Sequence, residues 1–168
     1  MTYLSTPELQ RPKDAPLIPV RRGRGCDASM WKHLELRLRV CDNALAFYRL
    51  PSLGVSEPML LGTLLLDEYP VFVRPRGNQP KKGTKVRVLL EYLCSCSYDS
   101  GTPVPTITLA DQLRIQSTLS VANHTVRLNR FFREITGLAD NPIIGRNYHG
   151  DLPFYEVVPR FTLDTEGE

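Results

Sequence analysis

Residues 34–40 read LELRLRV, and this alternation limits what the chain can become more than any other feature. Leu34, Leu36, Leu38 and Val40 fall on one side of an extended backbone and Glu35, Arg37 and Arg39 on the other. A period of two is that of a half-buried antiparallel strand; a helix would scatter the same residues around its circumference. Such a strand needs paired neighbours and a cover for its apolar side. The next residues supply candidates: CDNA is a turn, ALAFYRL (44–50) a return strand, PSLGVSEP a loop and MLLGTLLL (59–66) a further extended segment. The 14 prolines, concentrated before residue 20 and between 51 and 105, disfavour a helical bundle and suit strands joined by rigid turns.

The stretch VFVRPRGNQPKKGTKVRVLL (71–90) predicts a hairpin with a Pro/Gly/Asn middle. On the outgoing arm Val71 and Val73 point one way and Phe72, Arg74 and Arg76 the other. On the return, Val86, Val88, Leu90 and Tyr92 share a face, with Lys85, Arg87, Leu89 and Glu91 opposite. The cations Arg74, Arg76, Lys81, Lys82, Lys85 and Arg87 then gather on one outer face and around the tip, and the stretch holds no acid. Solvated faces usually mix signs, so a purely positive one is a candidate surface for a negative partner.

Beyond a loop at SYDSGTPVP, ITLADQLRIQ (107–116) reads as another strand. SVANHTVRLNRFFREITGL reads as a helix, with Ser120 as N-cap and Gly137 as the terminating glycine. Val121, Leu128, Phe131, Phe132 and Ile135 make its buried stripe, while Asn123, Arg127, Arg130, Arg133 and Glu134 lie outside. Arg127 and Arg130 add positive charge to that outer side, and His124 falls beside the stripe, where a hydrogen-bonded, half-buried histidine is expected. DNPIIGRNYHGDLP is loop-like, and FYEVVPRFTL is a last edge strand whose pairing Pro159 limits. The expected fold class is α+β: an antiparallel sheet, partly barrel-like or sandwich-like, covered by one main amphipathic helix. Residues 1–30 form a flexible, Pro-rich basic arm carrying Arg21, Arg22 and Arg24; residues 31–162 form a single domain; residues 163–168 form an acidic tail. The arm either reaches RNA, membrane or a neighbouring subunit, or is simply a solvated end. The net charge is only +3, so charge distribution has to carry any argument about partners.

Catalytic patterns are absent: no phosphate loop, GxGxxG, GxSxG or HExxH occurs. Cys94 and Cys96, in CSC, are two thiols where tetrahedral zinc needs four ligands, with Cys26, Cys41, His33, His124 and His149 the other candidates. As strand residues they point to the same side and read as small core residues. Asp67, Glu68 and Asp111 read as turn or strand-end residues. The expectation is a protein that is not an enzyme and uses no cofactor or metal. MTYLSTPELQRPKDAP has no apolar signal core, so reduced thiols in the cytosol or nucleus are expected. The longest apolar run, MLLGTLLL, is far short of the ~20 residues a spanning helix needs. Thr2 stands where myristoylation requires Gly, so any membrane contact is peripheral. On anionic lipid each cation contributes about 1 kcal/mol, so the six hairpin cations give at most about 6 kcal/mol and need several copies acting together. On RNA the same charges would bind with steep salt dependence and little sequence preference, since few aromatics interleave them.

Two segments resemble the matrix protein of Borna disease virus and its relatives. In residues 34–61 a strand opens with Leu34–Glu35, followed by an apolar-Pro turn at Leu50–Pro51 and a Val-x-Glu-Pro step at Val55, Glu57 and Pro58. In residues 113–135 a strand ending in Leu113, Arg114 and Ile115 runs into a helix capped by Ser120. Similar small α+β matrix domains occur across the nonsegmented negative-strand RNA viruses (Mononegavirales), including rhabdoviruses. The resemblance implies a viral structural protein that self-assembles into a tetramer or lattice under the envelope. It would bind anionic membrane lipids through basic surfaces and contact the viral nucleocapsid and RNA, and the viral glycoprotein, during assembly and budding. Its expected locations are the virion, the host cytoplasm, the inner face of cellular membranes and the nucleus. The hairpin here is longer and richer in Lys and Arg than the family pattern, the N-terminal arm is extended, and no PPxY or PTAP-type motif is present. Two readings stand beside it: an RNA-binding viral accessory protein, such as a suppressor of host RNA defence, and a zinc or thiol enzyme using Cys94 and Cys96.

Overall fold

The structure, a computed structural model, describes residues 30–51, 57–96, 103–146 and 154–164. The alternating segment forms β1 (Leu34–Arg39), which pairs antiparallel with β2 (Ala44–Arg49) across a turn where Asn43 adopts a left-handed conformation, φ 52°. β2 pairs antiparallel with β3 (Met59–Leu65), Leu61 being an extra residue between the Phe47–Gly62 and Tyr48–Leu60 pairs. Leu34, Leu36, Leu38, Leu45 and Phe47 are fully buried, as the alternation requires, but Val40, expected on the same face, lies in the turn after β1 and is exposed. Glu35 departs from the expected outer face. It is 4% exposed and accepts hydrogen bonds from Arg37 and Thr162, while the Arg37 guanidinium lies 4.5 Å from the centre of the Tyr48 ring.

The charged stretch makes a shorter hairpin than expected: β4 (Val73–Arg76) and β5 (Gln79–Gly83). Gly77, at φ 51°, supplies the left-handed residue that turns it. KVRVLLEYLCSC is then not the return strand but a helix, α1 (Lys85–Cys96). Val86, Leu89, Leu90, Leu93 and Cys94 are buried at helical spacing. Thr84 starts it: its hydroxyl accepts from the Arg87 amide at 3.3 Å and donates to the Val71 carbonyl at 2.5 Å. Cys94 and Cys96 therefore do not point the same way. Cys94 is buried and Cys96 is partly exposed.

After β6 (Pro103–Pro105), residues 106–113 are also helical rather than a strand: α2 (Thr106–Leu113) buries Thr106, Leu109, Ala110 and Leu113 and ends on Arg114 at φ 53°. Asp111 lies on this helix, and Asp67 and Glu68 form a short 3-10 turn after β3. The long helix α3 (Thr118–Thr136) buries the expected stripe and ends at Gly137, φ 78°. Its N-cap is Ser117, not Ser120; the helix begins two residues before Ser120. β7 (Ile143–Arg146), β8 (Phe154–Val157) and β9 (Arg160–Asp164) follow. The single expected C-terminal strand is thus two, separated at Val158–Pro159, and the segments read as loops before and after α3 contribute β6 and β7.

Among the described residues three sheets result: a four-stranded sheet ordered β3-β2-β1-β9, a three-stranded sheet ordered β6-β8-β7, and the β4-β5 hairpin. All pairs are antiparallel except β1 with β9, and no described sheet closes into a barrel. The fold is α+β with three helices among the described residues, not one. α1 packs against β9, β1, α2 and α3. The aromatic centre is Phe132 of α3, whose ring meets Trp31, Phe47, Phe131 and Phe161 at centroid distances of 5.7–6.3 Å. Asn129 binds Ile143 through both its amide groups, at 2.8 and 3.0 Å, and so holds β7 to α3.

Candidate anion-binding face

The start of α1 is where separate positive elements meet. Thr84 is tied to the backbone leading into β4 through Val71 and through its amide, which donates to the Phe72 carbonyl at 3.0 Å. The next residue, Lys85, donates from Nζ to the Leu113 carbonyl at 2.5 Å. A cation in the first turn of a helix opposes its dipole, but this one is turned towards the negative end of α2. Leu113 lies just before α3, so the contact sets the β4-β5 hairpin, the α1 start and the first turns of α3 side by side. Phe72 and Tyr69 packed on Phe131, with centroids at 4.7 and 5.1 Å, fix the hairpin base to α3 from the other side.

Arg74 is exposed on β4 and stands directly opposite Lys82 on β5. Like charges in that position are destabilising for the hairpin itself. Arg127 is exposed on α3, and His124 lies one turn earlier. Burial, then the positive charges of Arg127, Lys85 and Arg74, hold His124 below the ordinary histidine value. Its Nδ1 is buried and has no hydrogen-bond partner among the described residues, contrary to the hydrogen-bonded histidine expected there. The acids with visible partners are engaged elsewhere: Glu35 with Arg37, Asp42 and Asp164 with Arg39, and Glu91 with Arg87. Among the described residues no acid forms an ion pair with Arg74, Lys82, Arg127 or Arg130.

The expected cluster is therefore redistributed. Arg74, Lys85 and Arg127 act together on His124, which the sequence reading had set aside as a core neighbour, and Lys82 faces Arg74 across the hairpin. Arg130 is exposed further along α3. Arg76 and Lys81 belong to the same hairpin backbone. Arg21, Arg22 and Arg24 lie outside the described residues, as do residues 1–29 of the arm and 165–168 of the tail; Met30 is in a 3-10 turn and Leu163 and Asp164, expected in the tail, belong to β9. Arg87 does not belong to the face at all. It is 8% exposed, with Nε 2.7 Å from Glu91 Oε1 and Nη1 hydrogen-bonded to Asn43 Oδ1, and it braces α1 against the β1-β2 turn. Helical rather than extended geometry turns Arg87 away from Arg74. A Thr-Lys pair after Gly83, ahead of apolar residues at helical spacing, was the available signal for both the helix start and this displacement.

No group of three or more His, Cys, Asp or Glu among the described residues is placed to hold a metal, and no described helix is long and apolar enough to cross a membrane. Burial pushes the Cys94 thiol well above its ordinary value, which opposes formation of a thiolate there. Tyr92 is pushed up to about 12 by burial and by its hydrogen bond with Cys96. No family model, curated protein or solved structure matches the chain.

Proposed function

We propose that this is a non-enzymatic, self-assembling protein of the viral matrix type, which presents its cationic face to anionic membrane lipid and links that membrane to a ribonucleoprotein. The supporting observation is the convergence of Arg74, Lys82, Lys85 and Arg127 from four elements, β4, β5, α1 and α3, near the α1 start, with like charges left opposed on the hairpin. A fold keeps such an arrangement at a cost in self-repulsion, which a negatively charged partner relieves. At about 1 kcal/mol per cation near an anionic surface, one copy binds weakly and an assembly of copies binds firmly. Arg130, and the basic arm with Arg21, Arg22 and Arg24, extend the same reading.

The test is co-sedimentation with phosphatidylserine and with phosphatidylcholine vesicles across a salt series, with RNA as competitor, alongside sedimentation of the protein at several concentrations. Wild type is expected to form concentration-dependent oligomers and to bind only the anionic vesicles. The Arg74→Glu/Lys82→Glu/Arg127→Glu variant removes three cations, about 3 kcal/mol, and should bind roughly a hundredfold more weakly. A strict monomer indifferent to phosphatidylserine would overturn the proposal. Tight RNA binding by a small oligomer with no lipid preference would favour the accessory-protein reading instead.

A further inference from the structure

We propose that Arg74, Lys85, His124 and Arg127 form one site for a tetrahedral phosphoryl or sulfate anion, in which His124 is the proton-linked member. The inference deepens the reading above and rests on its cationic face.

Three observations carry it. The first is convergence. The Lys85–Leu113 contact brings the α1 start to the α2-α3 joint, and the Thr84 bonds to Val71 and Phe72 bring it to the β4 base. Arg74, Lys85 and Arg127 are each exposed residues; Lys85 Nζ donates one bond to the Leu113 carbonyl and keeps two further N–H groups for a ligand. The second is the unpaired Nδ1 of His124, a buried polar atom with no partner among the described residues. Such groups are uncommon in folded proteins and call for a reason. As a neutral ring the atom lacks a partner; as imidazolium the half-buried ring carries a charge that an anion held by the arginines offsets, without a direct bond to the covered Nδ1. The third is the set of charges that face the ring. Arg127 comes from its own helix, Lys85 from α1 and Arg74 from β4, and all three oppose a positive ring.

Anion binding and protonation are then linked in both directions. Without anion, the three cations keep His124 neutral near neutral pH. A bound dianion offsets them, draws a proton onto the ring and gains the attraction of its positive charge. Affinity therefore rises as pH falls. The physical consequence is a surface that holds phosphate more firmly in a mildly acidic compartment than in a neutral one.

Sulfate is the probe, because its charge does not change across the working range as that of inorganic phosphate does. Calorimetric titration of wild type should show sulfate binding roughly fivefold or more tighter at about pH 5.5 than at about pH 8. In the His124→Gln variant this pH dependence should vanish, while weak binding by the arginines persists. NMR titration of the histidine rings, with His124 assigned by the same variant, should show its titration moving upward when sulfate is added; this readout needs no altered protein. Sulfate affinity independent of pH, or a His124 ring that sulfate leaves unmoved, overturns the inference even if anionic vesicles still bind. A second arm with phosphatidylserine vesicles separates lipid headgroup from free anion. Sulfate linkage without vesicle binding upholds the site and removes the membrane reading, and vesicle binding that tightens over the same pH range only when His124 is present supports both.

Discussion

Arg87 separates a structural cation from a functional one, and the separation can be measured. Its guanidinium is almost fully covered, bonds to Glu91 and Asn43, and joins α1 to the β1-β2 turn. Replacing it with Gln removes charge-assisted hydrogen bonds worth about 1.5–3 kcal/mol. The Glu91 pair adds at most about 1 kcal/mol, because the Glu91 side chain is 39% exposed and solvent screens it. The expected destabilisation for Arg87→Gln is therefore about 2–4 kcal/mol, out of a total of about 5–15 kcal/mol for a typical protein. At about 2–4 °C per kcal/mol for a chain of this size, the thermal midpoint should fall by roughly 4–16 °C. Arg74→Gln, an exposed change, should stay within about 0.5 kcal/mol of wild type. Vesicle binding should reverse the order: Arg74→Gln weakens it roughly fivefold, and Arg87→Gln leaves it unchanged once the protein is folded. Circular dichroism with urea and thermal unfolding reads the first pair of outcomes, and co-sedimentation the second. If Arg87→Gln is as stable as wild type and loses vesicle binding as Arg74→Gln does, then Arg87 is a surface cation and the helical placement of α1 is wrong.

Three further outcomes follow from the same structure. Thr84→Val should cost about 1–3 kcal/mol in urea unfolding, because the hydroxyl both caps α1 and holds Val71. Ser117→Ala should cost under about 0.5 kcal/mol, since Ser117 makes no side-chain cap bond. The His124 value is lowered in the folded protein, so its contribution to stability is complete above the ordinary histidine value of 6.5 and is lost as pH falls through the folded one. Unfolding measured on both proteins should therefore show wild type losing stability relative to His124→Gln on acidification in a sulfate-free buffer, and much less with sulfate present. Alkylation of the native protein followed by mass spectrometry should label exposed Cys41 well before Cys94, whose thiol is buried and held in its protonated form; equal rates would contradict the packing of α1.

Periodicity was enough where one template dominated. LELRLRV could only be a half-buried strand, and the stripe from Val121 to Ile135 spans too many turns to be anything but a helix. The same tool failed on 85–96 and 106–113. In KVRVLLEYLCSC, residues 86, 88, 90 and 92 fit a strand and residues 86, 89, 90 and 93 fit a helix, and short apolar runs carry both periods equally well. The β-branched Val86 and Val88 tipped the local preference towards a strand; packing against β9, α2 and α3 overrode it.

Local pattern thus accounts for the β1-β2-β3 meander, the long helix and its glycine stop, and a positively charged turn at 74–82. These depend on neighbours in the chain, whose spacing is visible in the residue order. Long-range packing alone could choose the parallel union of β1 with β9, the burial of Arg87 and the meeting of Arg74, Lys85 and Arg127 around an unpaired His124 nitrogen. Each of those joins residues far apart in sequence. Their proximity arises from how helices and sheets share one core, a property that no single segment carries.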